Sequence, residues 1–126
     1  MEFDSTTPIW LQMVSEFTRR IARGEWPPGG RVASVRELAA ELGVNPNTVQ
    51  RAFAELDRLA LTVTERTAGR FVTTDAALIQ RVRFDQAQDA ADAYVALASG
   101  LQLTLDEATT LLTQRWNGRD HDRPHE

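Results

Sequence analysis

The chain has 126 residues, 42% of them hydrophobic and 25% charged, with no cysteine and a formal net charge of −4. That length holds one domain, or a compact domain with a short appendage. Lack of cysteine excludes disulfides, thiolate chemistry and cysteine-based zinc sites.

No apolar run is long enough to span a membrane. The acidic, polar start MEFDSTTP is unlike a secretory signal, so a soluble cytoplasmic protein is expected. All 14 basic residues are arginine. Residues 1–75 carry nine arginines against ten acids, and the remainder five against eight. For nucleic-acid binding the distribution of charge matters more than its sum. A near-neutral N-terminal part predicts modest non-specific affinity, with tight binding relying on local arginines, base contacts and dimerisation.

Residues 7–24 predict an amphipathic helix. Thr7 is placed as its cap, Pro8 at its first position and Gly24 at its end. Trp10, Val14, Phe17 and Ile21 share one face, with Met13 beside them. Arg19, Arg20 and Arg23 lie near the C-terminal end. Two readings stand for them: a grip on a phosphate backbone, or partners of the helix dipole on a solvated face. The run GEWPPGGRV then reads as a rigid turn and a short extended segment, with Trp26 as a core plug.

Residues 34–60 predict two short helices joined by a tight turn. Ser34 to Glu37 has the form of a capping box. Leu38, Ala39 and Leu42 give an apolar face, and Gly43 ends the helix in a left-handed turn. Asn45 caps the next helix and Pro46 takes its first position. Val49, Ala52, Phe53 and Leu56 follow helical spacing. Two helices with so short a glycine-bearing turn make a helix-turn-helix. Opposite the apolar stripe lie Asn47, Gln50, Arg51 and Ala54, with Thr48 on the flank. Asn and Gln suit adenine edges, Arg suits guanine or phosphate, and Thr can contact either. These residues occupy the helix end that enters a major groove, and the first acid, Glu55, lies beyond it. The competing reading is a solvated polar face.

After Ala60 the period becomes alternating. Leu61 to Arg66 and Arg70 to Thr73 predict two strands, with Thr67-Ala68-Gly69 as the turn. A hairpin after a helix-turn-helix is the wing of a winged helix. Arg66 and Arg70 are placed at its tip, facing a minor groove or phosphate; a plain hairpin with exposed arginines is the alternative.

Residues 76–99 predict a helix whose apolar face begins with Leu78, Ile79 and Val82 and continues through Ala87, Ala90, Ala91, Tyr94, Leu97 and Ala98, with Gly100 at its end. Thr104 to Glu107 is a second capping box, followed by Ala108, Leu111, Leu112 and Trp116. Two amphipathic helices beside a self-sufficient winged helix have more apolar face than they can bury alone. A second copy is the simplest cover, and packing back on the same chain is the alternative. The seam is assigned to Leu78, Val82, Ala90, Tyr94, Leu97, Leu105, Leu112 and Trp116. The tail NGRDHDRPHE is polar and expected to be disordered. His121 and His125 are four apart, but Pro124 argues against the helix a metal pair would need.

The run ASVRELAAELGVNPNTVQRAFAELD resembles the second and third helices of GntR-type regulators, and NPNTVQRA resembles the small YtrA-like branch. The resemblance extends from about Thr7 to about Val72, more faintly beyond, and is specific at residues 34–57. It implies a winged helix-turn-helix whose DNA contacts fall on Ser34, Arg36, Asn45, Asn47, Thr48, Gln50, Arg66 and Gly69. It also implies a two-helix appendage used for dimerisation and control of a neighbouring transporter operon. The chain departs from the pattern at the wing tip, where Thr67-Ala68-Gly69-Arg70 stands for GxGT, and at Ala33 and Ala60, where proline and glycine are usual.

The expected fold is mainly α with a small β-hairpin: a winged helix-turn-helix over residues 7–75, a dimerisation segment over 76–117 and a tail over 118–126. No catalytic, cofactor or metal constellation is found. The expected function is a homodimeric repressor on a palindromic duplex operator, with room for an unidentified small-molecule effector. A protein-interaction module and an RNA-binding winged helix are the competing readings.

Overall fold

A computed structural model of the chain describes residues 1–121. Its elements in chain order are helices α1 (Ile9–Arg23), α2 (Val35–Leu42) and α3 (Pro46–Arg58), strands β1 (Thr62–Glu65) and β2 (Gly69–Val72), and helices α4 (Ala76–Gly100) and α5 (Leu105–His121). They form two compact units, Met1–Gln86 and the residues from Ala87 onward.

The first unit is built on α1, α2 and α3. Met13, Phe17 and Ile21 of α1, Leu38 and Ala39 of α2, and Val49, Ala52, Phe53 and Leu56 of α3 are all buried in one core. Trp26 stacks on Phe17 with ring centroids 5.0 Å apart and plugs the core edge, as expected. The caps explain where the helices begin. Ser34 Oγ accepts from the Glu37 amide at 3.1 Å, and Asn45 Oδ1 from the Asn47 amide at 2.8 Å. Gly43 takes the left-handed conformation that closes α2 and turns the chain into α3. Thr7 does not cap α1. Pro8 holds that place without a side-chain cap, and Gln12 folds back to donate to the Asp4 and Thr7 carbonyls.

β1 and β2 are antiparallel, with Thr62 opposite Val72 and Glu65 opposite Gly69. The turn is residues 66–68, one position earlier than expected, so Arg66 lies in the turn rather than in the strand. The extended segment before α2 lies along the other edge of β2. Val32 N donates to Arg70 O and Val72 N to Gly30 O, both at 2.9 Å.

The start of α4 belongs to the first unit. Ile79 is buried in its core, and Leu78 and Val82 pack against it. Arg83 Nε donates to the Ala22 carbonyl at 2.9 Å, tying this stretch to α1. The unit therefore extends to Gln86, past the expected boundary at residue 75.

The second unit is a helical hairpin of the rest of α4 and α5. Tyr94 Oη donates to the Ala108 carbonyl at 2.8 Å, and Ala98 is buried between the helices. Both halves of the Thr104–Glu107 capping box form, at 3.0 and 3.1 Å. α5 continues through residues 118–121, which the sequence reading gave to the tail. His125 and the rest of the tail lie outside the described residues, so the expected disorder and the histidine pair are not described.

Candidate nucleic-acid interface

The polar side of α3 is open. Asn47, Gln50 and Arg51 are exposed and Thr48 is half-buried, while the opposite stripe fills the core. Arg51 also lies over the Trp10 ring, 4.3 Å from its centroid, which limits the directions its guanidinium takes. Asn45 and Ser34 use a side-chain oxygen as a cap acceptor, which leaves the Asn45 amide hydrogens and the Ser34 hydroxyl proton for a ligand. Arg36 is exposed one position into α2.

Ser34, Arg66 and Gly69 line a cleft of about 620 Å³ between the start of α2 and the wing. Arg31 lies in the same cleft, with its guanidinium close over Gly69: a Cβ there would meet Arg31 Nε at 3.1 Å. Gly69 has a φ of 109°, which a side chain would also oppose. Arg31 was missed in the sequence because GGRV shows no periodicity that announces a strand against the wing. Glu37 and Glu65 border the cleft as well, so its charge is mixed.

Arg70 is not at the tip, where the sequence reading placed it. Its side chain is 13% exposed and forks onto Asp57 of α3, with Nε 3.2 Å from Oδ1 and Nη2 3.1 Å from Oδ2. It also lies over the Phe53 ring, 4.3 Å from the centroid. Thr62 and Thr64 donate their hydroxyls to the same carboxylate. Burial pushes the Asp57 carboxyl up, but the hydrogen bonds from Arg70, Thr62 and Thr64 outweigh it and hold the group below its ordinary value.

The α1 arginines have partners of their own: Arg19 pairs with Glu16, Arg23 with Glu25, and Arg20 lies against Phe17, Trp26 and Glu41. Arg19 and Arg23 stay open to solvent in these pairs, whereas Arg20 is largely covered. Of the residues assigned to a dimer seam, Leu78 and Val82 are covered within the first unit. Tyr94 is half-buried in the second unit and Ala90 is exposed. Leu97 is 62%, Leu105 82%, Leu112 54% and Trp116 71% exposed. Among the described residues, no helix is long and apolar enough to cross a membrane, and no group of three or more His, Cys, Asp or Glu can hold a metal.

Residues 11–72 match the family model described as bacterial regulatory proteins, gntR family. The Uncharacterized HTH-type transcriptional regulator YhcF of Bacillus subtilis is 34% identical over 106 residues, covering 84% of this chain and 88% of the relative. The HTH-type transcriptional repressor YtrA of the same organism is 38% identical over 72 residues, covering 57% of this chain and 55% of YtrA. A solved GntR family transcriptional regulator from Listeria monocytogenes superposes with a TM-score of 0.71 at 32% identity, covering 89% of this chain and 98% of that one.

Proposed function

The chain belongs to the gntR family of bacterial regulatory proteins, and from that premise we propose that it is a homodimeric repressor that reads a palindromic operator in duplex DNA. The observation that carries the reading is the exposed, carboxylate-free face of α3. Asn47, Gln50 and Arg51 are open to solvent on the end of the helix that enters a groove. The amides read bases, and Arg36 and Arg66, on either side, hold phosphates. Operation in the cytoplasm and control of a neighbouring transporter operon belong to the same proposal.

The dimer rests on the second unit. Leu97, Leu105, Leu112 and Trp116 are all more than half exposed on a hairpin of two helices. Apolar surface of that kind marks an interface. A second copy placed there joins two recognition helices, and the second half-site contact becomes intramolecular, raising affinity by roughly 10²–10⁴-fold. The test is selection of binding sites from random duplex, with sedimentation of the wild type and Leu112→Asp. A palindromic selected site and a monomeric variant that binds it weakly are expected. Selection of single half-sites, or a dimeric Leu112→Asp, overturns the dimer. A wild type that enriches no duplex overturns DNA reading and favours a protein-interaction module.

A further inference from the structure

The two acids of α3 do different work. Glu55 pairs with Arg58 on the same helix and serves that helix alone. Asp57 turns both oxygens across to the hairpin, accepting from Thr62 and Thr64 of β1 and from Arg70 of β2. One carboxylate thus holds both strands. Thr64 and Arg70 are cross-strand partners, and the next rung, Glu65 with Gly69, leads directly to Arg66 in the turn. Arg70 is pressed on its other side against Phe53, one turn earlier on α3.

A hairpin of two four-residue strands has little stability of its own, so its pose depends on what it is tied to. The segment before α2 holds the far edge of β2, and Asp57 holds the face towards α3. We propose that Asp57, acting through Arg70, is the positioning residue that fixes the wing on the recognition helix, so that Arg66 and the polar face of α3 meet DNA as one rigid surface. This rests on the DNA-binding reading above. Without the clamp the wing samples other poses, in which α3 still binds but Arg66 makes no contact, so affinity falls towards that of a chain lacking Arg66.

The experiment uses the full chain and a duplex selected from random sequence by the wild type. Affinities are measured for wild type, Asp57→Asn, Arg70→Gln, Arg66→Ala and the Asp57→Asn/Arg66→Ala double variant. Amide exchange over residues 62–72 is followed in parallel. With a docked fraction near one-tenth and an Arg66 contact worth about tenfold, Asp57→Asn and Arg70→Gln are each expected to weaken binding about fivefold. Their hairpin amides exchange faster while those of α1 and α3 do not. The decisive quantity is coupling: Arg66→Ala weakens the wild type, but adds less than about twofold to Asp57→Asn.

If Asp57→Asn fails to fold, Arg70→Gln takes its place in the cycle. Losses that multiply independently overturn the proposal, because Asp57 then acts without the wing. Wild-type affinity in both clamp variants, or in Arg66→Ala, also overturns it. Failure of the DNA reading shows separately, as a wild type that enriches no duplex.

Discussion

Where the chain is cut decides whether the winged helix survives alone. Ending it after Asp75 keeps every element of the winged helix but removes Ile79, which is 3% exposed, and the half-buried Leu78 and Val82. Full burial of one such side chain is worth about 1.5–3 kcal/mol, so these three together contribute about 3–6 kcal/mol. A domain of this size is stable by only about 5–15 kcal/mol. A chain ending at Gln86 keeps all three residues and the Arg83 tie to Ala22. Urea titration followed by circular dichroism compares the two. With a slope of about 1–3 kcal/mol per molar, the shorter chain should lose about 2 M in midpoint or show no cooperative transition. Equal midpoints would refute the assignment of residues 76–86 to the core. The longer chain should also sediment as a monomer and bind the operator at least about a hundredfold more weakly than the full chain; retained affinity would count against the dimer.

Gln50→Ala and Asn47→Ala should each weaken specific binding by about 1–3 kcal/mol with little effect on random duplex, whereas Arg36→Ala should lower the log–log salt slope by about one. Competition titrations across salt concentrations check both, and equal losses on both duplexes would sink the base-reading role. Ala60 is held at a φ of 62°, a left-handed conformation that costs a side-chain-bearing residue. Ala60→Gly should therefore raise stability by about 0.5–1 kcal/mol, and a lower melting temperature would contradict this. The folded Asp57 carboxyl lies below its ordinary 3.8, so the stability it adds is fully present above that value and lost as pH falls through the lower folded one. The stability gap between wild type and Asp57→Asn should be flat from pH 5 to 7 and begin to close below about pH 4; a gap at pH 2 as large as at pH 7 would exclude the carboxylate as its source.

The helices were legible because their signals are local. The core stripe Val49, Ala52, Phe53 and Leu56 and the caps at Ser34, Asn45 and Thr104 need only spacing and residue type, and the structure has them where expected. Wing orientation was not legible. Thr62 is buried and Val63 is 54% exposed, the reverse of what hydropathy suggests, because Asp57 offers the threonine hydroxyls an acceptor. The same partner, thirteen residues away in sequence, takes Arg70 from the tip. The boundary in α4 was hidden for a similar reason. Periodicity shows that Leu78, Ile79 and Val82 share an apolar face, but not which neighbour covers it.

The pairing of residues 30–32 with β2 also bears on how the first unit assembles. Each helix and the β1–β2 turn can form from nearby residues, but the bond from Val32 to Arg70 closes a loop of about forty residues for very few hydrogen bonds. Contacts of such sequence separation form late, after helices already packed together have brought their ends close. On unfolding the order reverses, so the hairpin is the part that peels away at least cost while the three-helix body stays closed. While Asp57 holds Arg70 the wing stays on the recognition helix, so peeling is a rare opening of the whole hairpin and not a motion of the binding pose.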